Sequence, residues 1–253
     1  SFLAVIASLL LMRVKPLEPR RGRAGALSEI LEGWRTVSHP GPLRSIILLL
    51  ALVSLLGAPY ITLLPLFARN VLQGDAQTLG LLMSASGAGA FLGAIWLAGR
   101  RSVPSLALFI PVAAGLFGLS IAAFAASRTV WLSAACLFAA GACLMIQLAS
   151  SNTILQTIVD DDRRGRVMSF YMMAFMGTAP FGSLLLAAFS ERLGPGPAVA
   201  TGGILCAVAA AWFLQRIRTV RLAIRPDFRG ADAREEYAEA SNSASRLTFA
   251  AKD

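Results

Sequence analysis

Six polar side chains, Gln147, Ser150, Ser151, Asn152, Thr153 and Gln156, fall within ten residues of an otherwise apolar run. None is charged, so the chemistry open to them is neutral hydrogen bonding. At helical spacing Gln147, Ser150 and Ser151 share one face, while Asn152 and Gln156 share another. Two roles suit such a cluster: hydrogen bonds between packed helices, or contact with a bound polar molecule. A second set, Met168, Met172 and Met176, with Phe175 beside it, forms a stripe at helical spacing. Methionine and aromatic groups adapt to varied apolar shapes, so the stripe suits either packing or a hydrophobic or amphipathic ligand. A third set is conformational: Gly57-Ala58-Pro59-Tyr60 and then Pro65, with Gly177 and Pro180 later in the chain. Each proline removes a helical hydrogen bond and kinks its helix. Such a kink is either a packing bend or a cavity wall where freed carbonyls find partners, with Tyr60 as its polar group.

Other chemistries lack their residues. The single histidine, His39, sits in a His-Pro-Gly-Pro turn and reads as a loop residue, which leaves no Ser/His/Asp set. Cys136, Cys143 and Cys206 all lie in apolar stretches without a CxxC pair, so a metal site is not expected. No GxxxxGK[ST] phosphate loop occurs. The chain is therefore not expected to be an enzyme or to carry a cofactor. Asp75, Asp160 to Asp162 and Glu191 sit in loops or at helix ends, so no carboxylate lies deep in an apolar segment.

The elements that position these residues follow from composition. The 253 residues are 56% hydrophobic and 15% charged, against about 45–50% and about 25% in soluble domains. The lipid bilayer is the simpler solvent for such a chain. Apolar segments span roughly 44–68, 78–99, 104–126, 130–157, 168–190 and 197–217, each long enough to cross a core of about 30 Å as helix. Ser1 to Met12 is apolar too, but about 18 Å of helix at 1.5 Å per residue is too short to cross. It reads as the cut end of a membrane helix, in a chain that is a fragment or has lost its N-terminal half.

The net charge of +9 is a topology signal rather than a nucleic-acid footprint, because aromatic residues do not interleave with the basic ones. Basic residues between segments alternate: seven in 13–44, then Arg69, then Arg100 and Arg101, then Arg128, then Arg163, Arg164 and Arg166, then Arg192, then eight from Arg216 onward. Twenty fall on one side and three on the other, which makes the first group cytoplasmic by the positive-inside rule. Residues 13–43 form a cytoplasmic linker in which Ile30, Leu31, Trp34 and Val37 suggest an amphipathic surface helix. Residues 218–253 are polar and Ser-rich and read as a disordered cytoplasmic tail.

One stretch carries a resemblance. Asn152-Thr-Ile-Leu-Gln156-Thr-Ile-Val-Asp-Asp-Asp-Arg163-Arg164-Gly165-Arg166-Val-Met168-Ser169, continuing through Gly177-Thr-Ala-Pro180-Phe-Gly182-Ser and Glu191-Arg192-Leu-Gly194, resembles the major facilitator superfamily. It looks like the branch of enterobactin-exporter-like and macrolide-efflux-like permeases, over about residues 1–217. The resemblance implies an all-α membrane protein: a six-helix C-terminal bundle of two three-helix repeats, preceded by the end of helix six at residues 1–12. The segments become helices seven to twelve, with seven and ten lining the cavity, eight and eleven flanking it, and nine and twelve peripheral. Leu97 stands where the superfamily's loop motif carries an acidic residue between Gly93 and the basic pair Arg100-Arg101. The loop containing Asp162, Arg164 and Arg166 either takes over that charged role or caps the next helix.

The expected function is efflux of a small amphipathic molecule by alternating access between two six-helix halves. Tyr60, Gln147, Ser151, Asn152, Gln156, Met172 and Met176 are the expected cavity residues, with Pro59, Pro65, Gly177 and Pro180 at gating kinks. The expected setting is the inner (plasma) membrane of a bacterial cell, multi-pass, with a missing N-terminal half or a second copy as partner. The rival readings are a truncated, non-transporting membrane scaffold and a homodimeric six-helix carrier.

Overall fold

The computed structural model of the protein describes residues 41–100, 103–159 and 161–215. The expected helix end at 1–12, the linker helix near Trp34, Arg101 and the tail lie outside the described residues. The described chain is helical and forms six spans long and apolar enough to cross a membrane: Leu43–Val71, Ala76–Ala98, Leu106–Ala126, Val130–Ile158, Arg163–Leu193 and Pro195–Gln215. The protein is thus a multi-pass membrane protein.

The first span is broken. Helix α1 (Pro42–Leu56) gives way to a turn at Gly57–Pro59 before α2 (Tyr60–Leu66), and a π-helical turn at Phe67–Val71 completes the crossing. Pro59 has no N–H to continue the ladder. The Val53 carbonyl instead accepts from both Gly57 and Ala58, at 2.9 and 3.0 Å. Pro65 withdraws another donor within α2, and wider bonds such as Leu72 N–H to the Phe67 carbonyl, at 3.1 Å, follow. Helices α3 (Ala76–Ala98), α4 (Val103–Ala126) and α5 (Val130–Ile158) are continuous. The fifth span is broken like the first: α6 (Asp161–Met172), a π-turn at Met173–Gly177, and α7 (Ala179–Leu193). Gly194, at φ +84°, ends α7 in a conformation closed to most L residues. Pro195 then opens α8 (Pro195–Gln215).

Small residues set the helix spacing. Helices α3 and α5 touch backbone to backbone: a methyl at Gly89 would strike the Phe138 carbonyl, and one at Gly141 would strike the Ser86 carbonyl. At Gly93 it would lie 2.7 Å from the Ala142 oxygen. The Ala85/Gly89/Gly93 stripe is therefore a packing seam. Gly118 and Gly203 do the same between α4 and α8, and Gly182 seats α7 against the Leu55 carbonyl of α1. The core between them is aromatic: Phe67 stacks on Phe124 with centroids 4.6 Å apart, and both are buried.

Coverage is uneven. Half of the apolar window of the first span is buried, and half of the third, but 17% of the second and 11% of the fifth. Phe91, Leu92 and Ile95 on the second span, and Met176, Phe181 and Leu184 on the fifth, stand bare.

Candidate functional site

The polar cluster of α5 divides between two environments. Gln147, Ser150 and Ser151 are fully buried on the side that also carries Leu137, Ala140, Ile154 and Leu155. Both amide atoms of Gln147 and both serine hydroxyl oxygens find no hydrogen-bond partner there. Asn152 is half-buried and Gln156 exposed. They hydrogen-bond to each other, Gln156 Nε2 donating to Asn152 Oδ1 at 2.8 Å. The Arg164 guanidinium donates to the Gln156 carbonyl at 3.1 Å. That carbonyl lies in the last turn of α5, where acceptors lack intrahelical donors. Arg164 thus ties the start of the fifth span to the end of the fourth. Asp162 lies in the first turn of α6, and its side chain is outside the described residues. Arg166 is half-buried on the same helix.

Tyr60 is 3% exposed. Its ring stands edge-on to Phe124 at 6.5 Å and tilted against Phe117 at 6.3 Å. Its hydroxyl lies 3.2 Å from the Ser86 hydroxyl, joining the first span to the second. Pro59 is buried beside it, whereas Pro65 is exposed.

The methionines of the fifth span face outward. Met172 is 51% exposed and Met176 69%, and Met173, which falls outside the expected stripe, is 63% exposed. The π-turn widens the helix at Met173–Gly177, within the segment that carries Met173 and Met176. Gly177 and Pro180 flank Thr178 at the exit from that turn, both exposed. The segment is tied on its inner side. The Ser54 hydroxyl donates to the Phe175 carbonyl, and the Thr178 hydroxyl lies 2.7 Å from the Ala174 carbonyl and 3.5 Å from that of Ala51. One turn earlier the Tyr171 hydroxyl donates to the Leu148 carbonyl at 3.1 Å, pinning the fifth span to the fourth near Asn152.

Ser54, Tyr171 and Thr178 were not among the expected site residues. Ser54 carried a readable signal, as the sole hydroxyl between Ile46 and Leu56. For Tyr171 and Thr178 no local pattern tells a helix-tying hydroxyl from an outward one.

Arg100 ends the second span over an aromatic pair. Its guanidinium lies 4.3 Å from the Trp96 ring and 5.7 Å from Phe109, and the two rings meet edge to face at 5.2 Å. A cation on ring faces is held without a carboxylate, which fits Leu97 standing at the place of an acid. Among the described residues no three His, Cys, Asp or Glu side chains converge on a metal-sized site.

The described residues offer an exposed apolar face on the fifth span, one neutral hydrogen-bonding pair on α5, and two broken spans. A sequence model of the family described as transmembrane secretion effector matches residues 1–232. No curated protein and no solved structure matches the chain.

Proposed function

The chain belongs to the transmembrane secretion effector family of major facilitator-type transporters, and on that premise we propose that it forms a six-helix half of an efflux permease for small amphipathic molecules. The observation that carries this reading is the methionine face of the fifth span. Met172, Met173 and Met176 are bare on a helix that leaves α geometry there, and Asn152 and Gln156 pair on the α5 helix to which Tyr171 ties this span. Methionines fill irregular shapes, and the amide pair orients one polar group of a bound molecule. The second and fifth spans, the least covered, turn these faces toward a second six-helix unit, either an N-terminal half or another copy. Substrate lies between the units, and rocking of one against the other exposes it to each side in turn. The breaks at Gly57–Pro59 and Met173–Gly177 are the bends that gate it, with Pro65 and Pro180 marking their far ends. The ends richest in arginine face the cytoplasm, in an inner membrane.

Proteoliposomes carrying the chain, alone or with a co-reconstituted N-terminal six-helix half, test this with an amphipathic dye. Dye flux is expected in one arrangement. Met172→Ser and Met176→Ser should each weaken dye affinity about tenfold, the effect of losing roughly 1.5 kcal/mol of apolar contact. No flux in either arrangement overturns the reading and favours a scaffold.

A further inference from the structure

Between the end of the first span and the start of the second lies a cleft of about 330 Å³. Pro65, Ala68 and Leu79 form its apolar wall, and Arg69 and Asp75 line it with opposite charges. The link between the spans is held in shape. Gly74 N–H donates to the Ala68 carbonyl at 2.9 Å, and Gln73 adopts φ +50°, the only non-glycine positive φ among the described residues.

The two charges share a cleft without pairing. Arg69 is exposed and, among the described residues, has neither an ion pair nor a side-chain hydrogen bond. Asp75 is the N-cap of α3, and every bond it accepts goes to one oxygen: Oδ1 takes Gln77 N–H and Thr78 N–H at 3.0 Å each, and the Thr78 hydroxyl at 3.3 Å. The cap therefore fixes the carboxylate and leaves Oδ2 open. A ligand that satisfies both groups needs an anionic end for the guanidinium fork and a cationic end with N–H donors for Oδ2.

Position supplies the rest. The cleft sits where two apolar spans end, at Val71 and Ala76, so it lies at headgroup depth. Below it Ile61, 51% exposed, follows Pro65 along the same face of α2 and extends the apolar wall toward the hydrocarbon. A water-soluble zwitterion has no use for that track, and a lipid tail does.

We propose that this cleft binds a glycerophospholipid with a primary ammonium headgroup. Its phosphate lies on Arg69, its ammonium on Asp75 Oδ2, and an acyl chain runs along Pro65 and Ile61. The site does not depend on the transport reading or on which way the chain faces.

The test is native mass spectrometry of the delipidated full chain. It is supplied with equimolar phosphatidylethanolamine, phosphatidylcholine and phosphatidylglycerol of identical acyl chains. Phosphatidylethanolamine should be retained about tenfold over phosphatidylcholine, whose trimethylated headgroup has no N–H donor. Asp75→Asn should bring that ratio close to one, and Arg69→Gln should lower the retention of both lipids, since both carry the phosphate. Asparagine caps helices as well as aspartate does, so Asp75→Asn keeps the fold, checked by circular dichroism. Equal retention of ethanolamine and choline lipids overturns the proposal. So does retention of phosphatidylglycerol that depends on Arg69 alone, or displacement of the lipid by equimolar glycerophosphoethanolamine, which would make the headgroup the whole ligand.

Discussion

The Ser54 hydroxyl of the first span donates to the Phe175 carbonyl of the fifth, inside the π-turn where that span leaves α geometry. Three residues on from Ser54 the first span breaks as well, at Gly57. The two irregular segments are thus joined by a hydrogen bond, with Gly182 packed on the Leu55 carbonyl about two turns further along the fifth span. Ser54→Ala removes the donor and little else. Interhelical hydrogen bonds in membranes average about 0.6 kcal/mol and reach about 1.7, so reversible unfolding in bicelles should show a loss in that range. An unchanged stability would place the support of the π-turn elsewhere.

Two glycines of α3 should respond oppositely to the same added methyl. Gly89 has the Phe138 backbone against it, whereas nothing lies within 4 Å of the Cβ position at Gly80. Overpacking costs about 1–3 kcal/mol, and an unhindered helical Gly→Ala change gains about 0.5–1 kcal/mol. Gly89→Ala should lower the melting temperature and Gly80→Ala hold or raise it. Equal shifts would refute the backbone contact between α3 and α5.

Gln147 is fully buried with donor and acceptor both unpaired among the described residues. An apolar group of the same length removes a desolvation cost of about 1–3 kcal/mol. Gln147→Met should therefore stabilise the protein by an amount of that order in the same unfolding assay. If stability falls instead, the amide has a buried partner, and a water molecule is the natural one.

Acid should loosen the start of α3. The backbone amides of Thr78 and Gln77 hold the Asp75 carboxyl below its ordinary value, with the Thr78 amide contributing most. The sign follows from linkage: the folded state binds the proton less readily than the unfolded one. The contribution is complete above the unfolded value near 3.8 and disappears as pH falls through the lower folded value. Amide exchange at Gln77 and Thr78 should accelerate below about pH 4 in the wild type, and Asp75→Asn should flatten that dependence. The same slope in both would assign it to another group.

Single cysteines at Gln73 and Arg100 flank the second span, at the links before and after Ala76–Ala98. A membrane-impermeant maleimide added to intact cells should label Gln73→Cys and spare Arg100→Cys. The reverse pattern would invert the proposed orientation.

The six spans were legible because an apolar run of about twenty residues has a single solution in lipid. Their ends were less so. Arg163, Arg164 and Arg166 read as a loop, yet α6 begins at Asp161, since helical backbone satisfies itself while long side chains reach water. Which face of a helix is covered could not be read at all. Ser151 and Asn152 are neighbours in sequence, and one is fully buried while the other reaches the surface. Helices α3 and α4 pack most heavily on α5, and which of its faces they leave open is a property of those helices rather than of the local sequence. The π-turns were invisible for a related reason: Met173–Gly177 contains no proline, and the hydroxyl that donates into it comes from Ser54, over a hundred residues earlier.

Each π-turn also has a meaning for how the chain tolerates change in length. A five-residue turn of this kind holds one residue more than the α ladder uses. It therefore behaves as an insertion already absorbed, rotating everything after it by about 100° at 3.6 residues per turn. Deleting one residue within Met173–Gly177 lets the ladder close as an ordinary helix, and the Phe181 and Leu184 side swings onto a different bearing without the span breaking. In the uninterrupted α3 the same deletion has no slack to draw on and throws Gly89 and Gly93 off their seam. The broken spans are where the sequence can change length and still cross the membrane.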